Sequence, residues 1–274
     1  MLPALADDSI TLHYQPQIDM RGKIVGFEAL MRWHHQSRGA ISPEAFIPIF
    51  ENCGLILPLS RWALKQACLD AVSWKRPMHI SVNVSPLQFQ QDDVPALVAT
   101  VLAETGLAPD RLELEITEAV LTPDPDRIAL QLHKLVAQGV RITFDDVTGE
   151  VSLPFFIQDL PFSKIKIARD LVDNIESSAS ARSLIHMILL VGRSMNVPVA
   201  AKGIETAGQL AYVLQQGCEF IQGFFVSRPA AMNAFAAMTG NEEHDFVPAS
   251  TRLPDGIRLI VPLHTGGQRA VGAM

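Results

Sequence analysis

The chain has 274 residues, 48% of them hydrophobic, and a formal net charge of −7, enough apolar material for one large core or two small ones. With no basic run or arm, electrostatic binding of nucleic acid is excluded, although a small basic pocket for a phosphate ligand is not. The longest apolar helical run, Leu184 to Val191, is too short to cross a bilayer and is interrupted by His186. Residues 1–20 lack a basic start and an apolar segment, and Cys53, Cys68 and Cys218 are too few and too scattered for a disulfide framework or a zinc site. A cytoplasmic protein with reduced thiols is expected.

In chain order, residues 10–17 and 24–31 alternate as two strands around an Asp19-Met20-Arg21-Gly22 turn. Ser42-Pro43 reads as a helix start, and a second helix over 60–74 is expected with Ser60 as its cap. Ile80–Val84 is a strand, and Asp93–Thr105 a helix stopped by Gly106. Leu112–Ile116 is the next strand, and Asp124 caps a helix that ends at Gly139. Arg141–Asp146 and Lys164–Ile167 are strands, followed by a helix over 180–195, a strand over Val197–Lys202, a helix over Glu205–Gln216 and a last strand at Phe220–Gln222.

Strand and helix alternate, which predicts a mostly parallel sheet. Strands buried on both faces read as continuous apolar runs; here one face of almost every strand is polar. That pattern fits an α/β fold of the (β/α)8 TIM-like barrel type, with an N-terminal β-hairpin contributing an antiparallel strand and polar residues pointing inward. An open sheet with separately solvated polar residues is the rival. In a barrel, the polar residue nearest each strand's C-terminal end lies at the mouth, which gathers Glu28, Asn83, Glu115, Asp145, Lys166, Lys202 and Gln222. Residues 1–240 are expected to form the barrel domain. Residues 241–274, acidic and then rich in Pro and Gly, read as an irregular tail.

Glu28, Asn83, Glu115 and Asp145 offer hard oxygen ligands without His or Cys, a set suited to Mg²⁺ or Mn²⁺. Asp146 could reach a second ion, and Lys166 could neutralise a phosphate or steer a water. Such apparatus serves in-line attack on a phosphodiester. For Glu28 or Asn83 alone, a barrel-lining residue with a structural hydrogen bond is the plainer reading.

The motifs Tyr14-Gln15-Pro16, Glu28-Ala29-Leu30-Met31-Arg32-Trp33, Val82-Asn83-Val84-Ser85, Glu113-Leu114-Glu115-Ile116-Thr117-Glu118, Asp145-Asp146, Lys164-Ile165-Lys166-Ile167, Gly203-Ile204-Glu205-Thr206 and Gln222-Gly223-Phe224 occur in this order. Together they resemble the EAL domains that bind and hydrolyse cyclic di-GMP, over roughly residues 8–235. The resemblance implies a first metal, Mg²⁺ or Mn²⁺, on Glu28, Asn83, Glu115 and Asp145, with Asp145 shared with a second ion and Asp146 beside it. It implies Lys166 at the catalytic water, and Gln15, Arg32 and Gln222 on the nucleotide. Glu118 would brace the loop after Asp146, and Glu205 belongs to the same supporting set. Arg32 could instead be a surface cation, and Glu118 and Glu205 simple helix-start acids.

Three departures from the family pattern stand out. Lys202 replaces the glutamate that helps hold the second metal. Ala168 replaces an aspartate near the mouth. From Val147 through Pro154 the family's glycine and serine pattern is lost. The leading expectation is therefore a cyclic di-GMP-binding regulatory module with lost or strongly reduced hydrolysis, holding one ion if any. The rivals are a slow phosphodiesterase yielding pGpG, and a protein-interaction module that has abandoned the nucleotide. The resemblance also implies a fused sensory or GGDEF module or another protein partner, and a homodimer.

Overall fold

A computed structural model describes residues 9–122, 124–149 and 159–240. The tail expected over 241–274, and most of the altered loop after Asp146, lie outside the described residues.

The sheet closes on itself. Strands β1 (Ile10–Asp19) and β2 (Ile24–His35) form an antiparallel hairpin, and β3 (Gly39–Ile41) adds antiparallel to the far end of β2. From β2 the parallel order runs through β4 (His79–Asn83), β5 (Leu112–Ile116), β6 (Arg141–Val147), β7 (Lys164–Ile167), β8 (Val199–Ala201) and β9 (Phe220–Ile221). The ring is completed by β9 pairing antiparallel with β1, Ile18 opposite Ile221. The closed barrel and the reversed first strand are the fold expected from the alternation; the open sheet is ruled out.

Turn chemistry sets the hairpin. Asp19 Oδ1 accepts hydrogen bonds from the amides of Arg21 and Lys23, both at 2.9 Å, and Gly22 takes a φ of 81°, a left-handed conformation that costs glycine little. Outward-facing Phe27, Ile80, Leu112, Leu114, Ile142 and Ile165 are buried in one cluster between sheet and helices. A smaller cluster beside it stacks Trp33 edge-on against Phe46 and Phe50.

The helices are α1 (Pro43–Asn52), α2 (Ile56–Val72), α3 (Pro86–Gln91), α4 (Val94–Thr105), α5 (Glu118–Leu121), α6 (Pro125–Ala137), α7 (Arg169–Asp173), α8 (Ala179–Met195), α9 (Ala207–Gln216) and α10 (Ala236–Thr239). Two begin on the caps the sequence singles out: Asp93 and Asp124 cap α4 and α6, and Gly106 closes α4 at φ 74°. Ser60 is a correction. It is buried inside α2, which starts one turn earlier because Ile56 and Leu59 pack into the Trp33 cluster. Ser42 precedes α1 but its side chain makes no capping bond. Two other boundaries are shorter than expected. α9 begins after Thr206, whose hydroxyl and Gln209 form a capping box, and β8 ends at Ala201, leaving Lys202 just past the strand. No helix among the described residues is long and apolar enough to cross a membrane. Among them Cys53, Cys68 and Cys218 are free thiols.

Candidate active site

The barrel interior is a stack of polar tiers, and the lowest is a buried ion pair. Lys164 Nζ lies 2.8 and 2.9 Å from the two Glu113 carboxylate oxygens. Ser81 Oγ donates to Glu113 Oε1 at 3.0 Å, and Gln17 Nε2 donates upward to Glu115 Oε1 at 3.3 Å. The Lys164 ammonium also sits 5.0 Å from the Phe220 ring centroid. The charges of this tier are paired, as burial in low dielectric demands.

The next tier holds Glu28, Glu115 and Lys166. The register sets Asn83 opposite Glu115, while Glu28, one strand over, faces Gln15 across the hairpin. Lys166 Nζ is 3.0 Å from Glu28 Oε2 and 2.6 and 2.7 Å from the oxygens of Glu115. Glu28 also accepts hydrogen bonds from Asn83 Nδ2 at 2.8 Å and Gln222 Nε2 at 2.6 Å. Gln222 Nε2 donates to Gln15 Oε1 as well, and Gln15 Nε2 reaches the Ser227 carbonyl, both at 3.0 Å. Burial raises the pKa of Glu28, but Lys166, Gln222, Asn83 and Lys202 overcome it and hold the carboxyl at about 2. Glu115 shares the same ammonium with Glu28. Its burial and the neighbouring Glu28 charge outweigh Lys166, and its carboxyl is pushed up to about 8.

The rim is made by Lys202, Asp145 and Asp146. Lys202 Nζ lies 3.1 Å from Asp145 and 2.9 Å from Asp146 Oδ1. Asp146 has a φ of 62°, unusual for a side-chain-bearing residue; the strand leaves the ladder there, with a register shift between Phe144 and Val147. Burial lowers the Lys202 pKa, but the two aspartates more than offset it and the ammonium is held charged.

Two cavities open at this mouth. One, about 490 Å³, is lined by Leu30, Met31, Ile47, Ala63, Val84 and Pro86 with Glu28, Asn83, Asp145 and Lys202 at its floor. The other, about 370 Å³, is lined by Gln15, Asp146, Arg169, Glu205, Gln222 and Phe224, and shares Glu28, Leu30 and Lys202 with the first.

The chain matches the EAL domain family over residues 1–229. It belongs to the EAL domain family. A curated relative from Caulobacter vibrioides, an uncharacterized signaling protein, is 43% identical over 86% of this chain. The bifunctional diguanylate cyclase/cyclic di-GMP phosphodiesterase MucR of Pseudomonas aeruginosa is 34% identical over 82% of it. The chain spans only 29% and 34% of the lengths of these two relatives. The structure of the MucR phosphodiesterase in complex with c-di-GMP superposes with a TM-score of 0.81 at 32% identity, covering 85% of this chain and 96% of that one. The chain is thus an EAL domain related to cyclic di-GMP phosphodiesterases, enzymes that depend on divalent metal ions.

The structure gathers these residues at one end of the barrel in two bonded groups, Gln15, Glu28, Asn83, Glu115, Lys166 and Gln222 in one and Asp145 with Lys202 in the other, around a shared cavity. Arg32 is half-buried and donates to the Met31 carbonyl at 2.8 Å. Glu118 is exposed at the start of α5; the loop it was expected to brace lies outside the described residues. Glu205 pairs with Arg169, at 2.7 Å. Val147 and Ala168 are buried at the ends of β6 and the start of α7. Arg169, which lines the second cavity beside Phe224, was not anticipated. Its one local signal is Gly203 at φ 79°, where a Cβ would meet the Arg169 side chain at 2.5 Å.

For metal, the donor chemistry divides in two. Glu28, Glu115, Asp145 and the amide oxygen of Asn83 are the hard donors open to one divalent ion, but among the described residues they are not drawn together as a metal site, and Lys166 Nζ lies 3.0 Å from Glu28 and 2.6 Å from Glu115. The space between Asp145 and Asp146 does not fit another, because the Lys202 ammonium lies between those carboxylates.

Proposed function

We propose that this EAL domain binds cyclic di-GMP as a regulatory module with lost or strongly reduced hydrolysis. The observation that carries the reading is the Lys202 ammonium between Asp145 and Asp146. A divalent ion about 4 Å from that ammonium would be repelled by roughly 8 kcal/mol at an effective dielectric of about 20, twice the unit-charge value. A water in such a site keeps a high pKa, because lowering it is the metal's part.

Ligand binding is supported separately. Gln15, Arg32 and Gln222 match the family's nucleotide-holding positions, and two cavities flank a shared charged floor, a shape suited to a ligand with two bases joined by phosphates. Bound Mg²⁺ or Mn²⁺ on Glu28, Asn83, Glu115 and Asp145 would polarise a phosphoryl oxygen. In this reading Lys166 keeps Glu28 ionised and lies between it and Glu115, and Gln222 fixes the Glu28 carboxylate in place.

A second reading, a slow phosphodiesterase working on one ion, is favoured by the survival of that four-donor set beside Lys166. The experiment is a paired assay with Mn²⁺: binding of cyclic di-GMP by calorimetry, and linear pGpG by chromatography. Binding with little or no product is expected. Product formation abolished by Glu28→Ala would establish the second reading instead, and no binding at high micromolar nucleotide would overturn the first.

A further inference from the structure

The two lysines of the mouth are not equivalent. Lys166 spends its N–H donors on Glu28 and Glu115 and is 1% exposed, sealed beneath them. Lys202 has 22% of its side chain exposed and lines both cavities. An ammonium has three N–H donors. Among the described residues, Lys202 serves Asp145 Oδ2 and Asp146 Oδ1, while Asp145 Oδ1, 3.1 Å away, takes no hydrogen bond, so one donor remains for a third acceptor. The wall common to both cavities is where a ligand with a base in each would set its linking phosphates.

We propose that Lys202 is the phosphate-binding cation of this site, donating to a non-bridging oxygen of a cyclic dinucleotide phosphodiester, so that the ligand is held without a divalent ion. The inference rests on the reading of the ligand given above. Asp145 and Asp146 act as positioning residues that hold the amine charged and aimed, and a charge-assisted N–H···O bond supplies what a bridging metal would otherwise give. Arg228, its guanidinium carbon 4.3 Å from the Phe224 ring centroid, adds positive potential beside the second cavity, whereas the Arg169 charge is answered by Glu205 and Asp173.

The test is calorimetric titration of cyclic di-GMP in EDTA and in Ca²⁺ for the wild type, Lys202→Met and Lys202→Glu. The wild type should bind in EDTA within about threefold of its affinity in Ca²⁺. Lys202→Met should lose at least tenfold in EDTA, and Lys202→Glu should bind only when Ca²⁺ is present. Wild-type binding that requires Ca²⁺, or undiminished binding by Lys202→Met in EDTA, overturns the proposal while leaving the cyclic di-GMP reading intact. No wild-type binding in either buffer overturns both. The wild-type comparison decides the question even if neither variant folds.

Discussion

Lys164→Met tests whether the polar barrel interior is held by paired charge. Lys164 and Glu113 are 2.8 Å apart, with side chains only 8% and 1% exposed. Methionine keeps the stem's volume but leaves the Glu113 carboxylate beneath Glu115 with Ser81 as its remaining donor. Removing one partner of a buried pair costs about 3–5 kcal/mol, a large share of a typical domain's total of about 5–15. Urea denaturation should show that loss as a lower midpoint with little change in slope. Burial raises the Glu113 pKa, yet Lys164 overcomes it and the carboxyl lies below its usual range. In the wild type its contribution is therefore present above the unfolded value of 4.5 and lost as the pH falls through the folded pKa. In the variant the orphaned carboxylate is disfavoured and its pKa rises, so the gap between the two proteins should narrow from pH 7 towards pH 5. Lys164→Met/Glu113→Gln, which leaves no charge in this lowest tier and keeps the Ser81 bond, should recover most of the loss. A single variant within about 1 kcal/mol of wild type, or a double variant no better than the single, would refute the reasoning.

Three further outcomes are expected. Glu28→Gln should weaken Mn²⁺ binding at least tenfold by calorimetry, since the substitution removes the one carboxylate that Asn83, Gln222 and Lys166 all address. Gly223→Ala should lower the melting temperature and disturb ligand binding together: a Cβ there would meet the Ile204 carbonyl oxygen at 2.1 Å and amide nitrogen at 2.3 Å, forcing backbone apart beside Gln222. Tyr14→Phe should cost about 1–2 kcal/mol in urea melts, because the Tyr14 hydroxyl, on a side chain 1% exposed, donates to Asp70.

The barrel was legible because a period-two alternation is local: each strand announces its own inward face, and the C-terminal polar residue of each marks the mouth. The lower tier was half legible. Period-two spacing puts Glu113 and Glu115 on one face of β5 and Lys164 and Lys166 on one face of β7, yet nothing local says that the acids of β5 meet the lysines of β7, two strands away. That pairing comes from the closure of the ring and the β5–β6–β7 register. Ser60 misled for a related reason, since the α2 start is decided by Leu59 and Ile56 packing on residues far upstream. Arg169 was invisible because the Gly203 backbone, not the arginine's own neighbours, makes room for it.

The rim shows how a single residue can be read from sequence while its meaning waits on geometry. A lysine in place of a glutamate removes a metal ligand whatever its conformation. Only its position decides whether the amine faces solvent as a bystander or replaces the cation it displaces. Lys202 Nζ lies at 3.1 and 2.9 Å from two aspartates that would otherwise repel each other, so the charge of those aspartates is answered from within the chain. In the proposed reading the same side chain links two effects: what weakens the second metal also presents a fixed positive group to the ligand. Hydrolysis and binding would then separate at this residue, because phosphate recognition needs only charge and a donor, whereas activating water needs a Lewis acid.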